Sequence, residues 1–176
     1  MTKDIIPTIN ISSIINQNFS SNKSIKTISK IKKACINIGF FQVIGHGINK
    51  KNIKNICYVG NKFFNSSENN KRKLSPKKWN NKNKNIYRGY FPNDVNGKEG
   101  LDIGDLKVTK KYATTKKKQY IEYINLDKSF DKKSIKILSK YFDEIFTLGE
   151  TLFKSIIKLY DKDINNSKLA FSRIKT

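Results

Sequence analysis

The apolar residues of this chain recur every three or four positions in two stretches of its first half, with lysine and asparagine between them. Both stretches therefore predict amphipathic helices. The first, which we expect Ser24 to cap, has its apolar positions at Ile25, Ile28, Ile31, Cys35 and Ile38. The second has Ile53, Ile56, Cys57, Gly60, Phe63 and Phe64 on one stripe. Its aromatic end is expected to anchor the core.

The longest pattern of this kind runs from Asp131 to about Asp161. At 1.5 Å per residue, a helix of this length would extend roughly 45 Å, the size of a whole domain. We therefore expect this helix to pack against a structure larger than the short elements that precede it. Its apolar positions are Ile135, Leu138, Phe142, Ile145, Leu152, Phe153, Ile156 and Leu159.

A short aromatic and β-branched run, Phe40 to Ile44, lies between the first two helices and predicts a buried strand. Gly39 can adopt the left-handed conformation that ends a helix. After the strand, Gly45-His46-Gly47 predicts a turn, and Asn49 is placed to cap the next helix.

The remaining strands are short. Ile9 and Ile11 share one face of a strand after Pro7, residues 86–92 and 101–108 are strand-like, and 169–176 resembles a strand just starting. A short helix is expected from Ser66 until Ser75-Pro76 stops it. Together these patterns predict an α+β fold, mostly helical, with a few short strands and one long C-terminal helix.

The charge balance is strongly basic, with a formal net charge of +22 over 176 residues. Arginine occurs only at Arg72, Arg88 and Arg173, so 36 − 3 = 33 of the basic residues are lysine, which lacks the planar fork used to recognise phosphate and guanine. We interpret the lysines as a compositional bias spread over solvated faces. A nucleic-acid-binding protein is the alternative, and it predicts steeply salt-dependent binding.

The sequence contains no apolar stretch long enough for a membrane span and no signal-peptide core. We therefore expect a cytoplasmic protein with no membrane partner. Cys35 and Cys57 lack metal-ligand spacing and are expected to be buried, reduced thiols. Asp102 and Asp105 fall on opposite faces of their predicted strand and are interpreted, with Glu99, as surface carboxylates.

The sequence lacks the motifs expected of a metal site or of a catalytic nucleophile. His46 is the only histidine, so two imidazoles cannot join a carboxylate in the facial triad of a non-haem iron site. Neither a Gly-x-Ser-x-Gly elbow nor a phosphate-binding glycine loop occurs. We predict no catalytic, metal or cofactor-binding residue in this chain.

Several motifs, in order, carry a resemblance to a known family. They are Ile6-Pro7-Thr8-Ile9-Asn10, Ala34-Cys35, Gly39-Phe40-Phe41-Gln42-Val43-Ile44-Gly45-His46-Gly47-Ile48, Phe63-Phe64 and Arg88-Gly89-Tyr90. Their order resembles the N-terminal region of the isopenicillin N synthase-like, 2-oxoglutarate- and iron(II)-dependent dioxygenases. Asn10 stands where that family usually has aspartate.

The resemblance implies that this chain is one part of a larger enzyme and that the catalytic residues lie in another part. In that family the His-x-Asp and distal His iron ligands, and the Arg-x-Ser that holds 2-oxoglutarate, lie on a jelly-roll barrel after the long helix. The histidine matching His46 belongs to the strand-to-helix turn and binds no iron. The resemblance assigns Arg88 and Tyr90 to the substrate pocket. Alternatively, Tyr87 and Tyr90 are core aromatics and Arg88 forms a structural ion pair.

The leading interpretation is an N-terminal dioxygenase region, residues 1–125, followed by the long helix and the start of a truncated barrel, residues 126–176. Alone it is expected to be inactive. Fe(II), with or without 2-oxoglutarate, and a small-molecule substrate are expected to bind only when the missing catalytic barrel is present. One alternative is a docking subunit for a separately encoded barrel, with the long helix as its docking face. A basic nucleic-acid-binding protein ranks behind both.

Overall fold

A computed structural model describes residues 6–94, 97–106 and 123–158 of the chain. Its helices are α1 (Asn22–Asn37), α2 (Lys50–Phe64), α3 (Glu68–Arg72) and α4 (Lys132–Lys158), with a 3-10 turn at Leu126–Lys128. Its strands are β1 (Thr8–Asn10), β2 (Gln42–Ile44), β3 (Gly89–Phe91) and β4 (Gly100–Asp102). The predicted α+β fold, with few short strands and a long C-terminal helix, is confirmed. The described residues divide between two compact units.

The first unit contains residues 6–48 and the part of α4 from Glu144 onward. Strands β1 and β2 pair in parallel, with Ile9 opposite Val43. The expected inward face of β1 is confirmed, because Ile9 and Ile11 are both buried. The core of this unit comprises Ile9, Ile11, Ile14, Phe19, Ile28, Ile31 and Ala34, with Leu148, Leu152 and Ile156 of α4 packed against it.

Helix α1 starts earlier, and buries a different stripe, than the sequence predicted. Ser21 is its N-cap and accepts a hydrogen bond from the Ser24 amide. Ser24 itself is buried, and its hydroxyl donates to the Ser13 carbonyl over 2.8 Å. Because that bond satisfies the hydroxyl, a polar residue can occupy a core position. Ile25 and Cys35 are consequently exposed.

The run from Phe40 to Ile44 was expected to be wholly buried, and this is wrong. Strand β2 begins at Gln42, and the Phe40 side chain is 71% exposed. Only Phe41 and Val43 pack against the core, because alternate side chains of a strand point to opposite faces. The expected turn is confirmed, since Gly39, Gly45 and Gly47 all have positive φ and the Asn49 side chain caps α2.

The second unit contains the described residues from Asn49 to Asp143. Strands β3 and β4 pair antiparallel, with Tyr90 opposite Leu101. Its core comprises Val59, Phe63, Leu74, Tyr90, Ile124, Leu126 and Leu138. The Phe63 ring stacks on Phe130 at a centroid distance of 4.8 Å, which confirms that the aromatic end of α2 is a core anchor.

Strand β4 ends at Asp102, so the prediction of a strand through residue 108 is wrong for residues 103–105. Gly104 has a φ of +56°, which interrupts an extended backbone. Residues 107–108 lie outside the described residues, as does the strand expected at 169–176.

Both cysteines are free thiols, but the expectation that they are buried is wrong. On α2 the buried positions are Val59 and Phe63, one turn apart, and this phase leaves Cys57 exposed. Helix α4 is the longest described element, as predicted, with 27 residues. No helix in residues 6–94, 97–106 or 123–158 has both the length and the apolar character required to cross a membrane.

Candidate functional site

The backbone at Gly89 sets the geometry of the candidate site, which comprises the β3–β4 hairpin and the residues it contacts. Gly89 has a φ of +120°, and a Cβ atom there would collide with the Leu74 carbonyl oxygen. Next to it, the Tyr90 amide donates to that same oxygen over 3.2 Å. A glycine is therefore required for the hairpin to lie this close to the chain that leaves α3.

Arg88 lies at the surface end of this hairpin. Its Nη1 donates to Oδ1 of Asp102 on β4 over 2.9 Å, and its side chain is 36% exposed. The guanidinium lies against Gly104, where a Cβ atom would collide with Nη1. Asp102 and Gly104 thus fix the position of a cation that remains accessible to solvent.

Tyr90, two residues further on, is 1% exposed. Its ring meets Phe63 edge to face at a centroid distance of 5.8 Å. Its hydroxyl donates to Oε2 of Glu99 over 2.7 Å and lies 3.2 Å from Oε2 of Glu68. The ring of Tyr90 thus makes apolar contacts, while its hydroxyl is hydrogen-bonded.

Lys71 of α3 completes a partly buried polar network around that hydroxyl. Its Nζ lies 2.7 Å from Oε2 of Glu99 and 3.2 Å from Oε2 of Glu68. The same ammonium lies 5.2 Å from the centroid of the Tyr90 ring. Arg72 extends the network outward, with Nε 2.8 Å from Glu68 and Nη2 3.0 Å from Asp94.

The pKa values of these groups follow from their contacts. The hydrogen bond with Glu99 raises the pKa of Lys71, opposed by desolvation. Hydrogen bonds from Lys71 and then Tyr90 lower the pKa of Glu99. Burial, followed by the hydrogen bond with Glu99, raises the pKa of Tyr90 to about 12. At neutral pH, Lys71 is therefore an ammonium, Glu99 a carboxylate and Tyr90 a neutral phenol. These groups hold α3 and the hairpin together and exchange no proton.

The two residues predicted to bind substrate occupy different surroundings. Arg88 pairs with Asp102 at the surface, whereas Tyr90 points its hydroxyl into the network with Glu99. The ion pair in the alternative interpretation of Arg88 is present, and Tyr90 is a core aromatic. Tyr87, assigned to the core by the same alternative, is 74% exposed.

Sequence reasoning missed Lys71 and Glu99 as partners of Tyr90. Part of the signal was available, because Glu68 precedes Lys71 and Arg72 by three and four positions, a spacing that brings side chains together on a helix. Nothing in the local sequence links Lys71 to Glu99, which lies 28 residues later.

His46 has a structural role in its turn. Its Nδ1 accepts a hydrogen bond from the Ile48 amide over 3.1 Å, between two glycines of positive φ. Within the described part of the chain, no group of three His, Cys, Asp or Glu side chains is placed to hold a metal ion. These residues do not fit a facial iron triad, which needs two histidines.

Comparisons with known proteins agree on one family. The family model described as "non-haem dioxygenase in morphine synthesis N-terminal" matches residues 6–146. Over 89 residues, 51% of this chain, it is 33% identical to the 2-oxoglutarate-dependent dioxygenase tropC of Talaromyces stipitatus. Over 118 residues, 59% of this chain, it is 36% identical to a probable iron/ascorbate oxidoreductase of Dictyostelium discoideum. These segments cover only 26% and 30% of the two relatives' own lengths.

A solved structure shows the same fold. The chain resembles the crystal structure of the dioxygenase for auxin oxidation in rice with a TM-score of 0.61. The match covers 88% of this chain and 45% of that chain, at 14% sequence identity. The likeness therefore concerns the architecture of the polypeptide.

Proposed function

Because the chain belongs to the family of N-terminal regions of 2-oxoglutarate- and iron(II)-dependent dioxygenases, we propose that it braces the catalytic barrel of such an enzyme. The observation that carries this proposal is the family match over residues 6–146 in a sequence with one histidine, which is held in a turn. In this proposal the barrel supplies the iron ligands and the residues that bind 2-oxoglutarate. This chain supplies support for the barrel and one wall of the substrate pocket.

The chain alone is inactive in this proposal, because one imidazole cannot form a facial triad. The test uses the purified chain with Fe(II), ascorbate and 2-oxoglutarate, and measures oxygen consumption and succinate. We expect both to stay at the level of a protein-free control. Sustained 2-oxoglutarate turnover that the purified chain alone supports, and that a chelator removes, would overturn the proposal.

Arg88 and Tyr90 have different parts in the substrate pocket. The guanidinium of Arg88 is half-exposed and held by Asp102, and its planar fork suits a carboxylate or another anionic group of a small-molecule substrate. Tyr90 is buried with its hydroxyl on Glu99, so its part is to place β3, which Arg88 directly precedes. Both assignments apply to the enzyme with its barrel.

The assignment of Arg88 is tested once a barrel is found. The DNA flanking the gene is first read in all frames for a segment encoding His-x-Asp, a later His and Arg-x-Ser. In the joined enzyme, Arg88→Lys keeps the charge and removes the fork, so KM for substrate should rise while 2-oxoglutarate binding stays unchanged. An unchanged KM would remove Arg88 from the pocket.

A docking subunit for a separately encoded barrel is the second candidate function. Two exposed apolar side chains near each other in the sequence favour it: Phe40, two residues before β2, and Ile44, the last residue of β2. Affinity purification of the chain from its native cell should then recover a barrel carrying the iron ligands. A monomer that recovers no such partner would argue against this candidate.

A further inference from the structure

Five lysines lie within one segment of the second unit, residues 73–87, which we call the lysine loop. They are Lys73, Lys77, Lys78, Lys82 and Lys84. All five are exposed, and the sequence has no Asp or Glu between Glu68 and Asp94. This segment is therefore a patch of positive charge that carries no carboxylate of its own.

Buried asparagines hold the lysine loop in a defined shape. Asn83 donates from Nδ2 to the carbonyls of Lys73 and Ser75, over 2.9 and 2.7 Å. The Lys77 amide donates to the Asn85 carbonyl over 2.7 Å, which closes the tip of the loop. Asn83 and Asn85 are both buried. The loop thus presents its lysines from a fixed backbone.

Closure of the loop keeps the lysines close to one another. Lys77, Lys78, Lys82 and Lys84 lie inside the ring that the bond between residues 77 and 85 closes. Half of such a nine-residue ring reaches at most about 16 Å. Since the screening length is about 8 Å in physiological salt, neighbouring ammonium groups act together on a charged partner.

The lysines of the loop form no ion pair with any described carboxylate, although nearby cations do. Lys71, Arg72 and Arg88 are all paired with carboxylates. The described acidic groups of this region are thus engaged with cations outside the loop. An anionic partner could therefore pair with the loop lysines without first breaking an ion pair to a described carboxylate.

Apolar side chains accompany the charges. Ile86 is 59% exposed and Tyr87 is 74% exposed, two and three residues after Lys84. Trp79 is half-buried, with its ring edge to face with Phe91 at 5.7 Å and the Lys78 ammonium 4.7 Å from its centroid. The surface therefore combines lysines with an exposed aliphatic side chain and an exposed phenol.

We propose that the lysine loop binds the surface of an anionic lipid membrane, with Ile86 and Tyr87 entering the headgroup region. Lysine clusters are attracted to anionic lipids without needing bidentate geometry, and tyrosine favours the membrane interface. Single-stranded nucleic acid fits less well, because its bases need aromatic faces to stack on. Trp79 already packs against Phe91 and Lys78, which leaves Tyr87 as the one exposed aromatic ring of the loop. A single ring makes no stacking platform for successive bases.

This proposal differs from the prediction, made from the sequence, that the protein has no membrane partner. That expectation depended on the lack of an apolar span. A peripheral surface needs no span, because exposed lysines and a few interfacial side chains are sufficient for reversible attachment.

The test is co-sedimentation of the full chain with vesicles at 0.15 M salt. One set contains 30% phosphatidylserine in phosphatidylcholine, and the other contains phosphatidylcholine alone. The loop variant K77Q/K78Q/K82Q/K84Q is compared with K23Q/K26Q/K30Q/K33Q, which removes the same charge from the exposed face of α1. A third variant, I86S/Y87S, leaves the charge unchanged. Circular dichroism and urea midpoints check that each variant folds.

We expect binding to the anionic vesicles only. The loop variant should lose at least tenfold in affinity, since each lysine near the surface contributes substantially, whereas the α1 variant should lose less than threefold. I86S/Y87S should lose about fivefold or more, because an apolar contact is removed at constant charge. Equal losses in the two charge variants would overturn the proposal, as would unchanged binding of I86S/Y87S. Loop-dependent binding of a dT20 oligonucleotide without vesicle binding would also overturn it.

Discussion

The hydroxyl of Tyr90 donates to Oε2 of Glu99 over 2.7 Å, and the same oxygen accepts a hydrogen bond from Lys71. One carboxylate thus joins α3, β3 and the segment that precedes β4. Because Tyr90 is buried and lies two residues from Arg88, the position of the candidate substrate-binding arginine depends on this junction. The polar network is therefore a structural requirement of the proposed site.

Replacing Glu99 should destabilise the fold. Glu99→Gln keeps the size of the side chain and removes its charge, while Lys71, whose side chain is only 11% exposed, stays in place with one partner fewer. Since Glu99 is itself one-third exposed, we expect a loss of about 1–2 kcal/mol in the free energy of unfolding. Urea unfolding measures it.

Asp94→Asn is the matched control for that variant. It breaks the pair with Arg72, and Asp94 is nearly half exposed. Exposed pairs contribute less, so the loss should be clearly smaller than that of Glu99→Gln. Equal losses in unfolding free energy for Glu99→Gln and Asp94→Asn would show that the contacts of Glu99 stabilise the fold no more than an exposed ion pair does.

The phenol of Tyr90 should make stability depend on alkaline pH. Its pKa is raised to about 12 by burial and the hydrogen bond with Glu99, against an ordinary value near 10. The folded state therefore holds this proton more tightly than the unfolded state. The contribution is complete below pH 10 and is lost as pH rises from about 10 to about 12.

Tyr90→Phe isolates this effect, because it keeps the ring and removes the hydroxyl. We expect the difference in unfolding free energy between wild type and variant to be constant up to about pH 10 and then to shrink. Urea unfolding at several pH values measures this difference. A difference that grows above pH 10 would contradict the assignment.

Much of the helical framework follows from sequence, because apolar spacing and capping residues are local signals. The extent of α2, the start of α4 at Lys132, the Asn49 cap and the glycine turn around His46 all agree with the pattern. The predicted end of the long helix, residues 159–161, lies outside the described residues. The stripe of α1 was misjudged, since only the hydrogen bond from Ser24 to Ser13 makes Ser24 a core residue. That bond joins residues 11 positions apart, and no periodicity reveals it.

The candidate site was harder to predict for the same reason. Its arginine and tyrosine were found through the Arg88-Gly89-Tyr90 motif, but their surroundings depend on contacts between distant residues. Lys71 meets Glu99, and Arg88 meets Asp102, only once the hairpin has formed. The exposure of Phe40 is a further case, because hydrophobicity alone does not say how many faces of a two-stranded sheet are covered.

The start of α4 should make stability depend on acidic pH. Hydrogen bonding from the Ser134 amide, followed by Lys62, lowers the pKa of Asp131 to about 2. Because the folded-state pKa is lowered, the stabilisation is complete above about pH 4 and is lost as pH falls towards 2. Asp131→Asn keeps a cap acceptor and removes the charge.

We therefore expect Asp131→Asn to be less stable than wild type at pH 7 and to approach it at pH 2. Thermal unfolding followed by circular dichroism from pH 7 to pH 2 measures the gap. Lys62→Gln, which leaves the Ser134 bond intact, should reproduce only part of the effect. A gap that does not narrow with falling pH would show that the carboxylate charge does not contribute.

Two glycines of the second unit should respond to alanine in opposite directions. Gly89 has a φ of +120°, and a Cβ atom there would collide with the Leu74 carbonyl oxygen. The backbone must move to relieve both the unfavourable φ and the collision. Gly89→Ala should therefore lower the free energy of unfolding by about 3 kcal/mol or more. Gly60 lies inside α2 with nothing within 4 Å of its would-be Cβ atom. Gly60→Ala should therefore stabilise the fold by about 0.5–1 kcal/mol.

Urea unfolding of the two variants beside wild type measures both effects. The comparison is well matched, because each variant adds one methyl group and changes no charge. If Gly89→Ala kept wild-type stability, the close approach of the hairpin to Leu74 would be wrong, and with it the placement of Arg88. A loss in Gly60→Ala would instead point to a contact on that face of α2. Opposite signs are expected because only Gly89 combines a left-handed backbone with a neighbouring carbonyl.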